Sequence, residues 1–175
     1  MKKVFGLAAA LLLLWGCVKI PQPVKQTFTL ELGEDVYGNP RHYVEDKEAD
    51  YSDIEVVVHT PGVTKKNNRF VTTGSDFLAV GEYDFALAHG DQEVPFKVKV
   101  KDTLPPVPTL SPDRITVSKG APLNWEEIYQ ARDLSGVYYE GPAAADFESG
   151  ENPVKVRIYD RFGNSTYKDI IVEVE

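Results

Sequence analysis

"EYDFALAHGDQEVPFKVKVK", residues 82–101, decides the fold. Tyr83, Phe85 and Leu87 alternate with Asp84, Ala86 and Ala88; "HGDQ" then interrupts the run. Val94, Phe96, Val98 and Val100 next alternate with Lys97, Lys99 and Lys101. Side chains of a strand point to opposite faces in turn, so period two with one apolar set means a half-buried strand. Two such runs around a short turn-forming break predict an antiparallel hairpin. Its apolar face, with Phe85 and Val98, should lie in a core. Residues 27–32 (TFTLEL) and 53–59 (DIEVVVH) repeat the alternation. Helix signals are poor; residues 123–131 (LNWEEIYQA) offer one or two turns at most.

On the C-terminal side of this hairpin, residues 101–112 (KDTLPPVPTLSP) hold Pro105, Pro106, Pro108 and Pro112. Proline cannot donate to a ladder, so this span reads as a stiff connector. The chain beyond the connector repeats the chain before it. Residues 28–44 (FTLELGEDVYGNPRHYV) align with 115–131 (ITVSKGAPLNWEEIYQA). Residues 76–101 align with 146–175, matching Asp76-Phe77 to Asp146-Phe147, Phe85 and Leu87 to Val154 and Val156, and Phe96, Val98 and Val100 to Ile170, Val172 and Val174. The first copy carries a longer insert, Glu45 to Arg69. Both copies are expected to bury alternate residues, Val156 and Val172 included, around a core of their own.

The segments "KDTLPPVPTL", "ARDLSGV" and "DFESGENPVKVRIYDRFGNSTYKDIIVEV" closely resemble repeats of bacterial Ig-like surface domains. The first copy has "AHGDQE" where the family has its "DxxGN" turn, and Asn152-Pro153 replaces an aromatic and its neighbour in the second. The resemblance implies an all-β chain of two tandem Ig-like antiparallel β-sandwiches, over 27–103 and 109–175, joined by a Pro-rich linker at 104–108. It also implies an extracytoplasmic spacer, adhesion or interaction role, since such a fold is a scaffold rather than a function.

The N-terminus addresses location. Lys2 and Lys3 precede an uncharged apolar run, Val4 to Trp15, too short to span a bilayer core of about 20 helical residues. It ends in Leu14-Trp15-Gly16-Cys17, and Cys17 is the single cysteine of the chain. This resembles the lipobox of bacterial lipoproteins, with Trp15 bulkier than usual. The resemblance implies a signal peptide at 1–16 and diacylglyceryl on Cys17, which would partner the chain with a membrane at its extracytoplasmic face. Two acyl chains hold firmly where one does not, at about 0.8 kcal/mol per buried methylene. Residues 17–26 would then be the lipidated end and a tether. Val18–Gln26, with two prolines, would reach roughly 28 Å as polyproline II.

Composition excludes several classes. A chain that is 42% hydrophobic and 26% charged is globular rather than disordered. Its net charge of −8 opposes nucleic acid, whose affinity rests on basic residues. One cysteine allows no intrachain disulfide and disfavours a thiolate metal cluster. There is no Gly-x-Ser-x-Gly motif, and His42, His59 and His89 lack the spacing of a metal helix. An enzyme is therefore not expected, nor is a cofactor or a metal. Asp102, Asp133, Asp160 and Asp169 could meet near the junction and attract calcium, but Asp133-Leu-Ser-Gly and Asp160-Arg-Phe-Gly-Asn are first of all turn sequences. Asn164-Ser165-Thr166 matches a glycosylation sequon inside such a turn.

Candidate contact residues for an unidentified protein or glycan at the cell surface are Tyr138 and Tyr139 of "GVYYEGP", and Lys65, Lys66 and Arg69 of "TKKNNRF", a segment that also reads as a solvated loop. Exposed tyrosines stack on sugar rings or anchor partners, and a basic loop on an acidic protein would meet anionic polymers. A carbohydrate- or cell-wall-polymer-binding module is the alternative to a spacer. In an alternating strand one of the two tyrosines should point inward.

Overall fold

The computed structural model describes residues 19–143 and 146–175. Its first unit has seven strands: β1 (Thr27–Glu31), β2 (Val36–Tyr37), β3 (Glu55–Val58), β4 (Val63–Lys66), β5 (Arg69–Thr72), β6 (Gly81–His89) and β7 (Gln92–Lys101). Residues 82–101 form the β6–β7 hairpin as expected, with Phe85 opposite Phe96 and Tyr83 opposite Val98. Gly90 turns the hairpin at φ +57°, where a side chain would be strained. One sheet runs β1-β7-β6-β3 and the other β2-β5-β4.

The two sheets face each other through an aromatic core. Phe85, Leu87 and Val98 are fully buried, with Phe96 and Val100 beside them. Phe70 of β5 meets Phe85 edge to face, at 5.0 Å between ring centres. Burying each such side chain contributes about 1.5–3 kcal/mol. This unit is a β-sandwich.

The second unit holds β8 (Arg114–Val117), α1 (Trp125–Tyr129), β9 (Tyr138–Glu140), β10 (Gly150–Tyr159) and β11 (Ser165–Val174). Its sheet runs β8-β11-β10-β9. Val156, Ile158 and Val172 are fully buried on one face, with Ile170 and Val174. Trp125 and Tyr129 of α1 pack over them, closing a core separate from the first. The helix is short for local reasons. Asn124 caps its start by accepting from the Glu126 amide at 3.1 Å, and Gln130 ends it in the left-handed region at φ 46°.

The all-β reading holds, and three features depart from simple alternation. The first and last strands of each copy pair in parallel: β1 with β7 and β8 with β11. Alternation fixes faces, not strand direction, so it could not show this. The 17–26 tether is also corrected from Ile20 onward. Ile20 is buried in the first core, Pro23 is buried, and the Val24 amide donates to the Tyr43 carbonyl at 2.8 Å. One branched apolar side chain found a core even in a Pro-rich stretch. Third, the connector docks. Pro106 is buried, and Val107 and Arg132 exchange two backbone hydrogen bonds of 3.0 Å. The signal peptide and Cys17 lie outside the described residues. No helix among the described residues is long and apolar enough to cross a membrane.

Candidate functional site

Two places gather chemistry. The first lies where the units meet. The Asp160–Asn164 turn folds back because Asp160 Oδ1 accepts from the amides of Phe162 and Asn164, at 2.8 and 3.0 Å. Asp133 does the same for Ser135, accepting from its amide at 2.7 Å and its hydroxyl at 2.8 Å. Gly163 and Gly136 take the positive φ, 91° and 101°. Both turns aim their carboxylates at Asp102, just beyond the end of β7. Carboxylate oxygens of Asp102, Asp133 and Asp160 lie within 4.8 Å of one another.

Asn164 ties this cluster together. Its side-chain amide donates to the Asp102 carbonyl at 3.1 Å and to Asp160 Oδ2 at 2.7 Å. That nitrogen is the one a sequon would glycosylate, and here it is half-buried and hydrogen-bonded. Opposite, Glu31 accepts from the amide and hydroxyl of Thr103, at 2.6 and 2.8 Å. The Thr103 amide accordingly holds the Glu31 carboxyl below its ordinary range. Gly33 takes φ +93°, and a β-carbon there would come within 2.7 Å of the end of the exposed Leu134 side chain.

The Asp102 side chain caps no turn. Its Oδ2 is buried without a partner. Burial raises its carboxyl above the ordinary range; a hydrogen bond from Ser135 opposes this, and the charges of Asp133, Asp160 and Glu31 add to the rise. Calcium requires six to eight oxygens. Three carboxylates would be part of such a set, and both oxygens of Asp160 already accept hydrogen bonds from its own turn. Turn chemistry accounts for Asp133 and Asp160. Asp169 is elsewhere, exposed in mid-β11 and facing Lys155 at 3.9 Å.

The second place is the outer face of the second sheet. Tyr138 and Tyr139 part as a strand requires. Tyr139 turns inward, where its hydroxyl accepts from the Ala131 amide at 2.9 Å. Tyr138 is 47% exposed and stacks on Tyr159 at 5.6 Å. Arg157 lies over the Tyr159 ring at 4.4 Å, opposite both Glu140 of β9 and Tyr167 of β11. Tyr167 is 56% exposed, with Lys155 about 6.0 Å from its ring centre. An open depression of about 640 Å³ is lined by Glu140, Gly141, Lys155, Arg157 and Tyr167. No motif in the sequence marks Tyr159, Arg157, Tyr167 or Lys155. Alternation against Val154, Val156 and Ile158 places 155, 157 and 159 outward, but joining them to Tyr167 needs the β10–β11 register.

The other sequence candidates do not assemble. Asn67 and Asn68, at φ 49° and 59°, turn β4 into β5 and place Lys65, Lys66 and Arg69 about a tight hairpin. Lys66 pairs with Asp76 at 2.6 Å and Arg69 with Asp35 at 2.7 Å, while Lys65 lies over Phe70. Much of the loop's positive charge is thereby answered within the protein. His42 stacks on Tyr37, His59 contacts Glu93 at 2.8 Å and His89 contacts the Asp53 carbonyl at 2.8 Å. Among the described residues, only the aspartate trio brings three metal-ligating groups together.

Comparison with known proteins adds little beyond this geometry. No family model matches the chain. No curated protein matches it either. Among solved structures it is similar to the EC1-2 fragment of human mucin-like protocadherin, at 16% identity over 88% of this chain and 97% of that one, with a TM-score of 0.34. It is also similar to the insect immune protein hemolin, at 16% identity over 89% of this chain and 46% of that one, TM-score 0.37. The I67-I69 fragment of titin gives 9% identity over 89% and 64%, TM-score 0.33. Such scores fall below a shared overall arrangement.

Proposed function

We propose that the chain is a bacterial surface lipoprotein, held by lipid on Cys17, whose two Ig-like units at 27–103 and 109–175 form a non-catalytic spacer or protein-interaction module. The observation that carries this reading is the order of parts: a short apolar leader ending in Leu14-Trp15-Gly16-Cys17, then two β units with separate cores. Docking of Ile20 sharpens it. Three residue steps separate Cys17 from Ile20, a span of at most about 11 Å. A lipid on Cys17 would hold the first unit against the bilayer surface rather than at the end of a free tether.

The module reading is supported by how the polar groups are used. Among the described residues, Asp133 and Asp160 serve turns, His59 an ion pair and His42 ring stacking, which are structural uses of groups that could otherwise do chemistry. The test is metabolic labelling with palmitate in a bacterial host. Wild type takes up label and Cys17→Ser does not. Equal label in both proteins would overturn the anchor.

A further inference from the structure

We infer that the outer face of β9, β10 and β11 is a binding surface for an anionic sugar polymer, with Tyr138, Tyr159 and Tyr167 as its stacking platform and Arg157 and Lys155 as its charge readers. This goes beyond the anchored-module reading and does not depend on the lipid.

The placement comes from register. Tyr138 stands opposite Tyr159, and Arg157 stands opposite Tyr167, one ladder step pair away on the same face. Neighbouring strands are about 4.8 Å apart, so the three rings cross three strands over roughly 10 Å. Tyr138 and Tyr167 are among the more exposed large side chains of the molecule. An isolated exposed ring needs no explanation, but rings aligned on one open face do.

The cations on this face rest against rings, Arg157 on Tyr159 and Lys155 near Tyr167, but leave most of their hydrogen-bonding capacity unused. Arg157 has five donors, and its one hydrogen bond among the described residues is a long one, 3.3 Å to Glu140. Its Nε is buried without an acceptor, which leaves the outer nitrogens as the groups a ligand can reach. Lys155 is 63% exposed, and Asp169, its ion-pair partner, is 3.9 Å away. Lys66, Arg69 and Lys97, by contrast, hold carboxylates at 2.6–2.7 Å. On a chain of net charge −8, available cations beside aromatic rings point to a ligand that combines negative charge with a face for stacking.

A sugar polymer fits better than an acidic peptide. The depression between Glu140 and Tyr167 is open and shallow, and it is lined by Glu140, Lys155, Arg157 and the Tyr167 ring, so charge and a flat ring lie side by side. Rings flanked by a carboxylate and a guanidinium suit a pyranose, whose C–H face stacks while its hydroxyls meet both acceptor and donor. The anion read by Arg157 and Lys155 is a carboxylate or a phosphate on that polymer.

The test is isothermal titration of the full chain in detergent micelles with four probes: polygalacturonate, phosphomannan, dextran and poly-glutamate. The expected result is binding to polygalacturonate or phosphomannan, the better of the two naming the anion. That binding should weaken about tenfold or more in Tyr138→Ala and in Tyr167→Ala, as interface tyrosines do. It should fall severalfold in Lys155→Gln and on raising salt from about 50 to about 500 mM. Tyr37→Ala, on the first unit, should leave it unchanged. All three tyrosines are exposed, so circular dichroism should report intact folds. No binding to either anionic polymer would overturn the inference. So would dextran or poly-glutamate binding equally well, or affinity indifferent to Tyr138 and Tyr167.

Discussion

Replacing Asp102 by asparagine should stabilise the protein at neutral pH. Its Oδ2 is buried and unpartnered, and two further carboxylates lie within 4.8 Å. At that separation two unit charges repel by about 0.9 kcal/mol in water and about 3.5 kcal/mol at an effective dielectric of 20. Asp102 is partly exposed, so solvent screening brings the net penalty with both neighbours to about 1–2 kcal/mol. Asparagine removes the charge and offers Nδ2 as a donor to Asp133 or Asp160. The Asn164 bond is to the Asp102 backbone and survives. The midpoint of thermal unfolding should rise by about 3–6 °C at neutral pH. The pH dependence has a definite sign. An acid whose folded pKa is raised binds its proton more tightly when folded, so its penalty is full above the folded pKa. The penalty fades as pH falls towards the ordinary aspartate value of about 3.9 and is gone below it. The advantage of Asp102→Asn should therefore shrink as acid is added. The assay is thermal melting of both proteins, tracked by circular dichroism, from about pH 7 to about pH 4. A destabilised variant, or an advantage equal at both ends of that range, would refute the electrostatic account of the junction.

Burial and backbone geometry set two further outcomes. Tyr129 and Tyr139 should respond oppositely to removal of a hydroxyl. Tyr129 Oη is buried without a partner, so Tyr129→Phe should gain about 1 kcal/mol, whereas Tyr139→Phe strips the Ala131 amide of its acceptor and should lose about 1–3 kcal/mol; urea denaturation reads both. Gly33→Ala should cost about 1–2 kcal/mol, because φ is +93° and the new methyl would strike Leu134; adding Leu134→Ala should recover only the steric part, as a double-mutant cycle in calorimetry would measure.

What the sequence disclosed, and what it withheld, divides along physical lines. Period-two alternation needs only neighbours in the chain, so the β6–β7 hairpin, the inward set Phe85, Val98, Val156 and Val172, and the split of Tyr138 from Tyr139 were all readable. Asp169 could have been assigned outward by the same argument, since it precedes buried Ile170. Contacts between distant segments leave no such trace. The parallel pairing of β1 with β7 joins the two ends of a copy, and Ile20 sits in a stretch with no period at all. The aspartate trio was half legible. The meeting of Asp102, Asp133 and Asp160 at the junction could be suspected from their places beside the connector and in turns, but not that Asp169, outward as it is, stays apart from them. On the outer sheet face, Tyr159 and Tyr167 belong to different strands, and their proximity exists only once Arg157 faces Tyr167.

The parallel end strands carry a mechanical consequence. The chain enters β1 at Thr27 and leaves β7 at Lys101, at opposite ends of a ladder of five residue pairs. It likewise enters β8 at Arg114 and leaves β11 at Val174, across four. Tension along the polypeptide would slide these strands past one another in shear, so the hydrogen bonds of each ladder would share the load instead of unzipping one by one. Each copy thus resists being drawn out at its two ends more stoutly than so few bonds would suggest.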